Sequence, residues 1–302
     1  LLFVGAEGLV RGSAALAIRA GLSPLVVGLT VVAFGTSSPE MVVSVQAALA
    51  QQGDIAVGNV VGSNIFNIAI ILGITALICP IPVHRQIIRL DAPIALAVAI
   101  TLVLLLLDNA LSRLEGAILF AAIIAYTGMN VVLARRQTAG NGPEPESEVS
   151  AKGSRHWSLD MLFIAGGLAI LVFGSQLLVE HAVSLAKDFG ISEAVIGLTI
   201  VAAGTSMPEL ATSLVAAFRK QPDIAIGNVI GSNVFNVLGI LGIASLVSPM
   251  QAPGISALDY SAMIIATILL IPLLYTGRQL HRIEGMVLLA LYGMYLTFLW
   301  PK

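Results

Sequence analysis

Residues 31–40, VVAFGTSSPE, return at 200–209 as IVAAGTSMPE, and each copy sets one carboxylate inside an apolar run long enough to cross a membrane. A charge at that depth is expensive, and it marks a functional site whose partner has to be found. Here the first candidate partner is the other copy. The copies belong to a wider duplication: adding 169 to a residue number carries 21–80 onto 190–249 without a gap, with more than half of the positions identical. The same offset carries Arg113, Glu115 and Gly116 onto Arg282, Glu284 and Gly285. An internal repeat of this length governs every later reading of the chain.

Composition identifies the solvent. The chain is 57% hydrophobic and 11% charged, with a mean hydropathy of +0.96, whereas soluble domains carry about a quarter charged residues. It reads as an integral membrane protein. Its apolar runs approach the roughly 20 residues a spanning helix needs, about twice the length of a barrel strand. Spans are expected near 1–20, 24–49, 55–79, 90–107, 114–134, 159–186, 193–218, 224–247, 257–276 and 283–300. The fold class is therefore an all-α polytopic membrane protein of ten helices. Register with the sixth span implies roughly ten further residues ahead of Leu1 in the first helix. The lone Cys79 can form no internal disulfide and makes no thiolate metal site.

Each half holds five spans. Because five is odd, the second half must cross in the opposite sense, which makes 1–134 and 159–302 inverted repeats joined by a linker at 135–158. In transporters such repeats place broken helices and the substrate site near the bilayer midplane. Arg19, Arg85, Arg89, Arg135, Arg136, Lys152, Arg155, Arg219, Lys220, Arg278 and Arg282 gather on one side, against Arg113, Lys187 and Lys302 on the other. The positive-inside rule makes the first side cytoplasmic, with both termini outside. The linker's Glu144, Glu146 and Glu148 read as solvated charge.

The chemistry lies in two motifs per half. Thr36 with Glu40, and Thr205 with Glu209, are four apart, so each pair is expected to point the same way and offer hydroxyl and carboxylate oxygens together. Pro39 and Pro208 each lack an N–H and crowd the carbonyl four residues back, so both helices should kink and free carbonyl oxygens there. Further on, 58–67 (GNVVGSNIFN) and 227–236 (GNVIGSNVFN) place Ser63 over Asn67 and Ser232 over Asn236. Gly58, Gly62, Gly227 and Gly231 allow close backbone approach. The assembled donors are oxygens without His or Cys, which suits Ca²⁺ or similarly sized Na⁺ better than zinc, copper or nickel, and leaves Mn²⁺ open. Apart from Arg11, which lies four residues from Glu7 on the first span, no Lys or Arg occupies the centre of a span, and two uncompensated carboxylates would cost several kcal/mol each. One Ca²⁺, or about two Na⁺ or two protons, must therefore accompany them, and an empty site should resist reorienting.

Blander readings cover other residues. A single kinked segment would pass as packing, but two copies with acids do not. Asn59 and Asn228 either coordinate a cation or bond across helices. Asp54 and Asp223 read as helix-start charges, Glu7 and Arg11 as an i,i+4 pair, and Trp157, Tyr292, Tyr295 and Trp300 as interface aromatics.

With both motifs laid out, the chain resembles the cation/calcium exchanger superfamily, and specifically the prokaryotic sodium/calcium exchangers, over almost its whole length. The resemblance rests on two repeats, 28–73 and 197–242, each with a GTSxPE segment followed by GNxxGSN. It implies a core built from the second, third, seventh and eighth spans, with the first and sixth sliding across it. It also implies that Glu40, Glu209, Thr36 and Thr205 bind Ca²⁺, while sodium sites draw on Ser37, Ser206, Ser63, Ser232, Asn67 and the carbonyls of Ala33 and Ala202. Asn236, the counterpart of Asn67, belongs to the same cation set.

The expected function is secondary active exchange of Ca²⁺ for Na⁺ across a cytoplasmic membrane by alternating access. The alternative is exchange of Ca²⁺, or another divalent cation, for H⁺. A channel suits matched halves less well, and an intramembrane enzyme would want unlike acid and base roles. No cofactor, nucleic acid or obligate protein partner is implied; the partners are the two ions and the lipid bilayer.

Overall fold

The computed structural model describes residues 1–20, 22–140, 157–188 and 197–299. They are almost entirely helical: α1 (Leu2–Ala20), α2 (Pro24–Thr36), α3 (Ser38–Leu49), α4 (Gly53–Ile78), α5 (Ile87–Asp108), α6 (Arg113–Gly140), α7 (Trp157–Asp188), α8 (Leu198–Thr205), α9 (Met207–Phe218), α10 (Pro222–Val247), α11 (Ala257–Arg278) and α12 (Arg282–Leu299). Among the described residues, seven helices are long and apolar enough to span, and the bent pairs α2–α3 and α8–α9 bring this to nine. The tenth expected span, α1, carries Glu7, Arg11 and Arg19 and falls short on that measure. Its charges are paired instead: Glu7 with Arg11 and with Arg219, and Arg19 with the buried Asp160 of α7 at 2.7 Å.

The elements of one half recur in the other at the 169-residue offset. Turns of π-helix at Gly28–Val32 and Asn67–Leu72 return at Gly197–Val201 and Asn236–Leu241. The breaks at Ser37 and Ser206 both bend their helices by 46°. Two short ladders cross between halves: Ile81–Pro82 pairs antiparallel with Gln279–Leu280, and Ala110–Leu111 with Met250–Gln251.

The most apolar stretches of α4 and α10 are 78% and 89% buried, against 22–39% for α5, α6, α7, α11 and α12. This separates a central pair from helices whose side chains, such as Leu104, Leu107, Ile118 and Ile265, stay on the outer surface, as all-round apolar spans do in lipid. Each central helix packs against α3 or α9 of its own half and against the bent helix of the other, α4 on α8 and α10 on α2. The approach requires glycine. A Cβ at Gly62 would lie 2.4 Å from the Leu198 carbonyl oxygen, and one at Gly231 would lie 2.6 Å from that of Leu29.

Some expectations change. Helix α6 runs on to Gly140, because Arg135, Arg136 and Gln137 are good helix formers that continue the ladder past the apolar span. Residues 141–156, with Glu144, Glu146, Glu148, Lys152 and Arg155, lie outside the described residues, as does Trp300. Tyr292 and Tyr295 are buried inside the protein and not at its interface, and the Tyr295 hydroxyl donates to Asp259 Oδ1 at 2.9 Å. Asp259 also closes the capping box on Ser256 that starts α11, so it has a structural reason to be there. Asp54 and Asp223 reach out to the other half: Asp54 Oδ1 accepts from the Gly254 N–H at 2.8 Å, and Asp223 pairs with His84 at 3.3 Å.

Candidate cation-binding site

The site is built where the two bent helices face the two central ones. Helix α2 stops at Thr36, Ser37 leaves helical geometry (φ −80°, ψ 9°), and α3 restarts with Pro39 in its first turn, where a missing N–H breaks no bond. Ser206 (φ −81°, ψ 6°) and Pro208 repeat this in the second half. The restart places Glu40 and Glu209 in the first turns of α3 and α9. Unsatisfied N–H groups and the positive end of the helix dipole favour an anion there. That offsets only part of the cost of burying a carboxylate without a basic partner: both glutamates are fully buried, and among the described residues neither forms an ion pair.

The break also redirects the threonines. On an uninterrupted helix Thr36 would sit beneath Glu40, but the 46° bend falls between them. Thr36 Oγ1 donates instead to Asn228 Oδ1 of α10, and Thr205 Oγ1 to Asn59 Oδ1 of α4, both at 3.0 Å. The serines at the breaks cross over to the opposite acids. Ser37 Oγ donates to Glu209 Oε1 at 2.8 Å, and Ser206 Oγ to Glu40 Oε1 at 2.9 Å. Asn59 Nδ2 donates to the Glu40 carbonyl and Ser44 Oγ, and Asn228 Nδ2 matches this at the Glu209 carbonyl and Ser213 Oγ. Asn59 and Asn228 thus bond across helices with both ends of their amides.

The remaining candidates are gathered at the same place. Ser63 Oγ donates to the Ala202 carbonyl at 3.4 Å, and Ser232 Oγ to Glu209 Oε1 at 3.4 Å. The Ala33 and Ala202 carbonyls also accept the N–H groups of Ser37 and Ser206 at 3.0 and 3.1 Å, which places both at the breaks. Asn67 and Asn236 open the π-turns of α4 and α10, one turn beyond Ser63 and Ser232. Four side-chain oxygens of these motifs are buried without a hydrogen-bond partner: Glu40 Oε2, Glu209 Oε2, Asn67 Oδ1 and Asn236 Oδ1. They form two pairs related by the repeat. All are acceptors, while the four amide nitrogens of Asn59, Asn228, Asn67 and Asn236 are already engaged. Burying unpaired acceptors is costly unless something with positive charge or a proton meets them. Four unpartnered acceptors from the two halves thus call for a cation or a proton between them.

Four polar residues here escaped the sequence reading: Ser44, Ser213, Asn64 and Asn233. Each is identical to its counterpart 169 positions away, and that identity inside a span was the available signal. Asn64 Nδ2 donates to the Asn233 carbonyl at 3.2 Å and Asn233 Nδ2 to the Asn64 carbonyl at 3.3 Å.

Comparison with known proteins gives a consistent answer. A model of the sodium/calcium exchanger protein family matches residues 1–132 and 159–300. The chain is 37% identical over 272 residues to the inner membrane protein YrbG of Escherichia coli (strain K12), covering 89% of this chain and 84% of that one. It is 31% identical over 333 residues to the sodium/calcium exchanger MaX1 of Methanosarcina acetivorans, covering 99% and 95%. Among solved structures it superposes on the sodium-calcium exchanger NCX_Mj, soaked with 2.5 mM Na⁺ and 0.1 mM Ca²⁺, with a TM-score of 0.82 at 31% identity, covering 99% of this chain and 95% of that one.

Proposed function

Because this chain belongs to the sodium/calcium exchanger protein family, a family of membrane antiporters and not of enzymes, we propose that it exchanges Ca²⁺ for Na⁺ by alternating access with Glu40 and Glu209 as the shared cation ligands. The observation that carries this reading is the pair of fully buried acids from opposite halves, each with one unpartnered carboxylate oxygen and neither in an ion pair among the described residues. Calcium would take Glu40 and Glu209 with Thr36 and Thr205. Sodium would take Ser37, Ser206, Ser63, Ser232, Asn67, Asn236 and the carbonyls of Ala33 and Ala202.

Exchange follows from charge. With the cation gone, two carboxylates remain in a low-dielectric site at a cost of several kcal/mol each. The unloaded protein is then trapped on the side where it emptied until sodium or calcium enters. In the proposed topology the two halves insert in opposite senses near a common midplane, the linker at 135–158 faces the cytoplasm, and both termini lie outside, as the basic residues favour.

Calcium uptake into proteoliposomes loaded with sodium or potassium, at equal pH and with a protonophore present, tests the coupling ion. Outward sodium should drive uptake and potassium should not. Uptake that ignores sodium but follows a pH gradient once the protonophore is omitted would replace sodium by protons. Glu40→Gln and Glu209→Gln should each abolish uptake while the protein stays folded in the bilayer, and transport retained by both would sink the site assignment.

A further inference from the structure

We infer that Asn64 and Asn233 are positioning residues that turn the amide oxygens of Asn236 and Asn67 toward the transported ion, an inference that rests on the cation-site reading above. An asparagine amide has a donor end and an acceptor end, and a bond at one fixes the other. The backbone carbonyl of Asn233 can only accept, so the Asn64 amide must present Nδ2 to it, as it does at 3.2 Å. That leaves Asn64 Oδ1 for the next contact, where it accepts Asn236 Nδ2 at 3.1 Å. Asn236 is thereby held with its own Oδ1 pointing away from Asn64, buried and unpartnered.

The other half repeats the relay. The Asn64 carbonyl accepts Asn233 Nδ2 at 3.3 Å, Asn233 Oδ1 accepts Asn67 Nδ2 at 3.0 Å, and Asn67 Oδ1 is left unpartnered. A main-chain acceptor on each central helix thus dictates, through one intervening amide, that oxygen and not NH₂ is left free on the ligand of the same helix. Asn64 and Asn233 are themselves buried. Each uses both its side-chain nitrogen and its oxygen in this relay, which accounts for the two amides without a direct cation contact. Without the acceptor at position 64 the Asn236 amide is free to rotate, and a rotated amide offers a cation hydrogen instead of oxygen.

The test is a mutant cycle on the full chain in proteoliposomes, with Asn64→Leu, Asn236→Leu and the double variant, reading the half-saturating sodium and the half-saturating calcium separately. Loss of a group that orients a metal ligand costs about ten- to a hundredfold in affinity. Asn64→Leu should therefore raise the half-saturating sodium at least about tenfold, with a much smaller change for calcium, and should add nothing once Asn236 is Leu. Asn233→Leu and Asn67→Leu should repeat the pattern. If Asn64→Leu fails to insert, Asn64→Ala is read in the same cycle. Equal losses for both ions, an unchanged sodium value, or a full-sized effect on top of Asn236→Leu would each overturn the inference. If Asn236→Leu leaves sodium affinity unchanged while Glu40→Gln abolishes transport, the relay fails and the acidic site stands. If sodium does not drive uptake by the unaltered protein, the sodium reading fails and the relay falls with it.

Discussion

At the scale of single residues, the hydroxyl nearest each acid comes from the opposite half, Ser206 for Glu40 and Ser37 for Glu209, with Ser232 of its own half a longer second donor to Glu209. A hydrogen bond to a charged group contributes about 1.5–3 kcal/mol. Ser37→Ala and Ser206→Ala should each lower stability by about that amount, Ser37→Ala by the smaller share because Ser232 still donates to Glu209. Thermal unfolding of the purified variants measures both. Most residue types in the site were legible in the sequence, since GTSxPE and GNxxGSN each occur twice inside apolar runs. Their pairing was not. Spacing of four suggested Thr36 with Glu40, yet that rule holds only along an unbroken helix, and the kink foreseen at Pro39 falls between them.

At the scale of elements, close packing of α4 on α8 and of α10 on α2 depends on positions without a side chain. Gly62→Ala and Gly231→Ala would drive a methyl into a backbone carbonyl that cannot swing away. Each should cost about 1–3 kcal/mol, as overpacking does, and should impair transport as well. At Gly128 on α6 and Gly293 on α12, an added methyl would meet nothing within 4 Å. Alanine there should be neutral or stabilising by up to about 1 kcal/mol, since helical glycine gives up more chain entropy than alanine. Comparing the four melting curves in one detergent separates the classes. The helical architecture was legible because spans of this length and apolarity have few alternatives in lipid. The surroundings of Tyr295 and of Asp54 were not, because aromatic girdles and helix-start charges are only average tendencies, while their actual partners, Asp259 and Gly254, are set by tertiary packing.

At the scale of the whole molecule, contacts between halves are numerous and noncovalent: the two crossing ladders, the Asp54 and Asp223 links, the Arg219–Glu7 pair and the site itself. None of them depends on continuity of the chain between Gly140 and Trp157. Co-expressed fragments 1–140 and 157–302 should therefore assemble and recover cation-driven calcium uptake, whereas either fragment alone should show none. Co-purification through a tag on one fragment, followed by the uptake assay, checks this. The repeat predicted that the halves are alike, but likeness does not say which copy completes which. That follows only once the chain is folded and the serines are seen to cross over.

The crossing has a consequence for descent. A gene encoding only one of these halves would yield an acid whose nearest hydroxyl partner, the serine at the helix break, sits on another molecule, so the site could be complete only in a pair of chains. Once both copies are read as one polypeptide, a change at Ser37 is judged by its effect on Glu209, and one at Ser206 by its effect on Glu40. The two copies are then bound to drift together, each holding the other's signature in place.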